Sequence, residues 1–147
     1  MNLNDQIPQE YIDAAKKAGA CEGALEWLRE APRTWQQLKD EYPEWLLFGC
    51  KIDIPYPSEW IDECAEKCSW TALEFAAQRL TPERLDWCAE RDPITALIYA
   101  AEHLTPERLN WCAKKRPWTA LGQATRYLTP ECLDWCAERW PSTALVY

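Results

Sequence analysis

The sequence predicts an all-α protein, a short α-solenoid of stacked 24-residue helical hairpins with a divergent helical N-terminal cap. Three observations lead there. The segments LTPERLDWCAERDPITAL, LTPERLNWCAKKRPWTAL and LTPECLDWCAERWPSTAL begin at Leu80, Leu104 and Leu128, a fixed period of 24 residues. Each carries two helix starts, a Thr-Pro-Glu and a second proline, so each reads as a helical hairpin. Each is also too short to bury its own apolar stripe, which makes stacking the source of stability.

Within 147 residues, 48% of them hydrophobic, the expectation is one continuous domain. Residues 1–55 do not follow the period. There a helix from about Pro8 to Ala18 should end at Gly19, and another should run from about Cys21 to Arg29 with Ala24, Leu25 and Leu28 inward. Thr34-Trp35 looks like a capped start. Pro43 to Phe48 should form a short helix ending near Gly49 or Cys50, and Lys51 to Pro57 an irregular connector. These elements make the cap.

Four copies follow: 56–79, 80–103, 104–127 and a truncated 128–147. In the second, Thr81 should cap, Pro82 should occupy the first turn and Glu83 should favour the positive dipole end. Leu85, Cys88 and Ala89 fall at i, i+3, i+4, one apolar stripe of a helix ending near Arg91. A second start at Asp92-Pro93 leaves almost no loop, so a helix over about Pro93 to His103 should fold back, with Ala96, Leu97, Ala100 and Ala101 as a small-residue face. The first copy is degraded, with Ser58 as the expected cap and Thr71-Ala72-Leu73 in register with Thr95-Ala96-Leu97. The sequence stops inside the last second helix, whose end is expected to be covered by a partner or by a second copy, a homodimer through the C-terminal repeat.

A net charge of −8 argues against direct binding of nucleic acid or anionic membrane. The first residues lack a basic segment followed by an apolar one, and no apolar run approaches a membrane span, so a cytoplasmic location is expected. In that reducing setting the eight cysteines are expected to be free thiols.

Cys64, Cys88, Cys112 and Cys136 share one repeat position. A metal or redox column would need thiolates from copies roughly 10 Å apart, and zinc wants four ligands where the chain offers one histidine, so small buried side chains are the better reading. No metal or cofactor is expected. That histidine, His103, suits a helix C-terminus, and no nucleophile stands near it in the pattern. With no phosphate loop, nucleophile elbow or zinc-protease motif, no enzyme is expected.

Carboxylates at i, i+3, i+7 line the first helices: Glu59, Asp62 and Glu66; Glu83, Asp86 and Glu90; Glu131, Asp134 and Glu138. In register they would form an acidic ridge, either a solvated face or a nucleic-acid mimic fitting a basic groove. The third copy breaks it with Asn110 and Lys114, and is net basic through Arg108, Lys114, Lys115, Arg116 and Arg126. Trp87, Trp111 and Trp135 flank the apolar stripe and should pack across the seams between copies.

The copies disagree at the turn and on the outer side of the second helix. Those positions hold Trp70, Phe75, Ile94, Ile98, Tyr99, Arg116, Trp118 and Trp140, and exposed apolar groups there point to a surface that reads a folded protein partner.

The stretch Ala20-Cys21, Ala24-Leu25-Glu26-Trp27-Leu28, Thr34-Trp35 and Pro43-Glu44-Trp45-Leu46-Leu47 resembles a motif near the start of uncharacterised bacteriophage and prophage proteins, over about 30 residues. The Thr-Pro-Glu-Arg-Leu copies resemble short helical repeats of phage accessory proteins. That resemblance implies a small non-enzymatic phage or mobile-element inhibitor in the host cytoplasm that binds a defence component of CRISPR type, an anti-CRISPR-like protein. The competing readings are the acidic mimic and a thiol- or zinc-dependent protein.

Overall fold

A computed structural model describes residues 1–139, and its regular elements are helical. Among the described residues no strand forms; an isolated bridge joins Gln6 to Thr34. Trp140 and the second helix of the fourth copy lie outside the described residues. No described helix is long and apolar enough to cross a membrane.

The cap holds four helices: α1 (Gln9–Lys17), α2 (Glu22–Glu30), α3 (Trp35–Glu41) and α4 (Pro43–Gly49). Gly19 ends α1 with φ +89°, the left-handed conformation that glycine adopts without strain. Thr34 starts α3 with a full capping box, its hydroxyl accepting from the Gln37 N–H while the Gln37 side chain accepts from the Thr34 N–H. The first residues are tied on by backbone bonds from Ile7 N–H to Arg33 C=O and from Gln36 N–H to Leu3 C=O, both 2.8 Å. In α2 the inward set differs from expectation. Trp27 is buried and Leu28 only half-buried, because the Trp27 indole packs edge-on against Tyr42 and Trp45 beneath the Arg33 guanidinium.

After a 3₁₀ turn at Cys50–Ile52, the copies supply α5 (Ser58–Lys67) and α6 (Ser69–Phe75), then α7 (Pro82–Arg91) and α8 (Pro93–Thr95), α9 (Pro106–Lys115) and α10 (Pro117–Thr119), and α11 (Pro130–Arg139). The first helices touch in chain order, α5 to α7 to α9 to α11, and the second segments touch one another likewise. Helix α4 packs on both α5 and α6, which places the cap against the first copy. One buried cluster runs from Ile7 to Cys136.

The second segments are not uniform α-helices. In the second and third copies α8 and α10 pass into π-helical turns at Ala96–Ala100 and Ala120–Ala124 and then 3₁₀ turns at Ala101–His103 and Thr125–Tyr127. A 3.6-residue pattern does not separate α from π winding over a single turn. Two caps also differ. Ser58 is the first helical residue of α5 and does not cap it, and the Thr81 hydroxyl donates to Asp62 Oδ2 at 2.8 Å across the copy boundary. Thr105 and Thr129 do cap, accepting from Arg108 and Cys132 N–H at 3.3 Å.

The joint between cap and copies centres on Tyr56, boxed by the rings of Trp35 and Trp60, with Arg79 donating to the carbonyls of Ile54 and Tyr56. Gly49 lies under that ring: a Cβ there would stand 2.9 Å from Tyr56 Cε2 and Cζ. A Gly→Ala change in a helix ordinarily stabilises by up to about 1 kcal/mol. Here overpacking wins, and urea unfolding of Gly49→Ala should show a loss of about 1–3 kcal/mol; an unchanged or raised stability would mean the Tyr56 ring has room to move.

Candidate functional site

The copies are joined through one repeat position that faces the preceding unit, held by Trp60, Arg84, Arg108 and Cys132. Trp60 meets the cap, buried against Trp35 and Tyr56. Arg84 pairs with Glu66 at 2.7 Å, and Arg108 pairs with Glu90 at 2.7 Å and Asp86 at 3.6 Å. Where the fourth copy has buried Cys132, the third copy has Asn110 and Lys114 in place of those acids. Loss of the arginine is matched by loss of its carboxylates. Lys114 instead stands over Trp135, at 5.9 Å.

Four of the nine carboxylates of the expected ridge also bridge neighbouring copies. Asp62 accepts from Thr81, Glu66 from Arg84, and Asp86 and Glu90 face Arg108, while Glu66 and Glu90 stay exposed. Glu59, Glu83, Glu131, Asp134 and Glu138 are exposed. Of the recurring tryptophans, Trp135 is met from the preceding copy by Lys114, whereas Trp87 and Trp111 pair with cations of their own copies. Trp87 lies between Arg84 and Arg91, Trp111 between Arg108 and Lys115, and Trp135 between Lys114 and Arg139.

The cysteine column occupies the closest contacts. Cys88, Cys112 and Cys136 are fully buried, as is Cys64 to within 1%. Cys112 Sγ donates to the Ala89 carbonyl and Cys136 Sγ to that of Ala113, each at 3.9 Å. Both acceptors sit in the last turn of a first helix, where carbonyls lack intrahelical donors. The residue four on, Pro93 or Pro117, has no N–H to offer. The thiol of the following copy therefore supplies the missing donor, a weak bond that recurs at the same place. In the first copy Ser69 stands at the proline position and keeps its N–H.

Burial raises these thiols, Cys88 to about 11 and Cys64, Cys112 and Cys136 to about 12. At neutral pH they are uncharged, the form that neither attacks nor ligates. Among the described residues no group of three or more His, Cys, Asp and Glu is placed to hold a metal ion. His103 is exposed and lies 3.3 Å from Glu102. The eight cysteines are free.

The second segments carry the apolar surface. Trp70, Ile94, Ile98, Tyr99 and Trp118 are exposed by 42% to 60% and, with Met1, make up the exposed large hydrophobic residues among those described. No family model, curated protein or solved structure matches the chain. Trp70, Ile94 and Trp118 occupy one repeat position, so contact between successive second segments sets them in a column. Arg116 is exposed at the adjacent turn, donating to the Lys115 carbonyl. Phe75 is different, turned inward and half-buried, its ring edge-on to Phe48 at 5.4 Å, because the cap covers the outer side of the first copy.

Sequence reasoning missed a pocket of about 380 Å³ between the cap and the first copy, lined by Tyr11, Trp45, Phe48, Trp70, Thr71 and Phe75 among others. Its one advance signal is the crowding of aromatic residues between Trp35 and Phe75.

The thiol column gives the stability a pH dependence. Thiols raised from 9.0 to about 11 or 12 in the folded state contribute fully below about pH 9, and that contribution is lost as pH rises toward the folded values. Urea unfolding should show stability falling between about pH 9 and pH 10.5, by on the order of 1–2 kcal/mol per buried thiol. In Cys88→Ala/Cys112→Ala/Cys136→Ala the fall should shrink; an equal fall in that variant would assign it to other groups.

Proposed function

We propose that the chain is a non-enzymatic protein-interaction module, a short α-solenoid of 24-residue hairpins over 56–147 capped by residues 1–55, whose second-segment face binds one folded partner in the cytoplasm. The observation that carries this reading is the column Trp70, Ile94 and Trp118 with Ile98 and Tyr99 beside it, large apolar side chains left at the surface where the buried positions are filled by Ala, Leu and Cys. Contiguous exposed apolar groups of this kind mark interaction surfaces, and aromatic side chains dominate such contacts. The uncharged, buried thiols favour binding over covalent chemistry. Engagement of Asp62, Glu66, Asp86 and Glu90 within the protein favours the apolar face over an acidic mimic.

The likeness of residues 20–47 to phage and prophage proteins directs the search for the partner to host defence components. Crosslinked capture should therefore compare the protein with Ile94→Glu/Ile98→Glu, which places charge on the face and leaves the core untouched. The expected result is one protein retained by the wild type and reduced at least about tenfold with the variant, since loss of a central apolar anchor costs about 2 kcal/mol or more, while thermal unfolding is unchanged. Equal retention by both, or none by either at micromolar concentration, contradicts the reading.

A further inference from the structure

The fourth copy exposes the same surface on which the second copy seats the third. Leu133-Asp134-Trp135-Cys136-Ala137-Glu138-Arg139 repeats Leu85-Asp86-Trp87-Cys88-Ala89-Glu90-Arg91 residue for residue, and each set ends a first helix, α11 and α7. What that surface receives is visible two copies earlier. The Arg108 guanidinium of the third copy reaches Glu90 at 2.7 Å and Asp86 at 3.6 Å, and the Cys112 thiol donates to the Ala89 carbonyl.

In the fourth copy the same acceptors are open. Asp134 and Glu138 are exposed and make no hydrogen bond or ion pair with a described residue. The Ala137 carbonyl stands four residues before a proline, Pro141, as Ala89 and Ala113 do before theirs, and proline has no N–H to give it. A second, independent observation concerns apolar burial. Leu85 and Leu109 are 6% and 3% exposed and Ala89 and Ala113 fully buried, whereas Leu133 and Ala137 are only half-buried. Polar partners and apolar cover are therefore missing together on one face. Repetition alone does not keep such acids in place: the third copy replaces them with Asn110 and Lys114, and the unit it receives has Cys132 in place of arginine. The fourth copy keeps both.

We propose that this face of α11 is a second interaction surface, which docks a helix of a partner protein that presents an arginine in its first turn and a small side chain four residues on. The arginine meets Asp134 and Glu138 as Arg108 meets Asp86 and Glu90, and the small residue permits the close approach to Ala137 that Cys112 makes to Ala89. The surface belongs to a first helix, apart from the second-segment column of Trp70, Ile94 and Trp118. A second copy of the chain does not fit it. Its arginine-bearing helices α7 and α9 already pair with Glu66 and with Asp86 and Glu90, and two such faces set against each other would oppose acid to acid.

The third copy serves as the probe: a dye-labelled peptide of residues 104–127, titrated with the full chain under reducing conditions and followed by fluorescence anisotropy. It should bind saturably at one site. Arg108→Glu in the peptide should weaken binding at least about tenfold, and Asp134→Lys/Glu138→Lys in the chain should do the same to the native peptide, because like charges then meet at the contact. The altered peptide and altered chain together should bind at least about threefold tighter than either change alone. Cys112→Leu in the peptide should cost about tenfold or more by overpacking. Glu59→Lys/Glu83→Lys carries the same change of net charge away from the face and should stay within about threefold of the wild type. Ile94→Glu/Ile98→Glu should bind the peptide as the wild type does, which separates this result from the partner-binding one. All these chain positions are exposed, so thermal unfolding should be unchanged. Absence of saturable binding overturns the proposal. Binding that ignores the charge reversal, is not recovered by the double change, tolerates the leucine, or falls equally in either control variant does so as well. A dimer of the chain alone in sedimentation that Asp134→Lys/Glu138→Lys dissolves would make a second copy the occupant and overturn it too.

Discussion

A single 24-residue copy is incomplete twice over, in apolar surface and in hydrogen bonding, and the neighbouring copy supplies both. The proline that starts the second segment of the second and third copies sharpens the hairpin, but it leaves the Ala89 and Ala113 carbonyls without a donor from their own unit. The thiols of Cys112 and Cys136 fill that place. A small side chain is required at the point of contact, since Cys88, Ala89, Ala96, Ala100, Cys112 and Ala113 are all fully buried. Larger groups are displaced to the flank, which is where Trp87, Trp111 and Trp135 are found.

Charge follows the same logic. The side chain facing the preceding unit changes from Trp60 to Arg84, Arg108 and Cys132, and each time the surface it meets changes with it. Two departures of the basic third copy, Asn110 and Lys114, follow from this exchange. That copy lacks the acids because the fourth copy lacks the arginine. Such seam pairs are partly exposed and individually weak, and their role is to set register more than to add stability.

Much of this was legible in the sequence because repetition is its own control. Helix starts at Pro82, Pro106 and Pro130, the buried Leu, Cys and Ala positions, and the outward placement of Ile94, Ile98 and Trp118 all follow from a period and a helical stripe. What escaped depends on partners distant in sequence. Thr81 donates to Asp62 in place of capping its own helix, and Phe75 turns inward because the non-repeating cap lies over it. Neither contact has a counterpart in the other copies. The pocket beside Thr71 escaped for the same reason, as it is formed where the period is broken.

The central claim, that the second and third copies are each completed by the next through the carbonyl that proline leaves open, is tested most directly by a double-mutant cycle between Pro93→Ala and Cys112→Ala, read by urea unfolding. Alanine at 93 restores an N–H beneath the Ala89 carbonyl, so the thiol should matter less there. The account predicts a smaller cost for Cys112→Ala in the Pro93→Ala background than in the wild type, with a coupling of about 0.5 kcal/mol or more. Equal costs in the two backgrounds would contradict it.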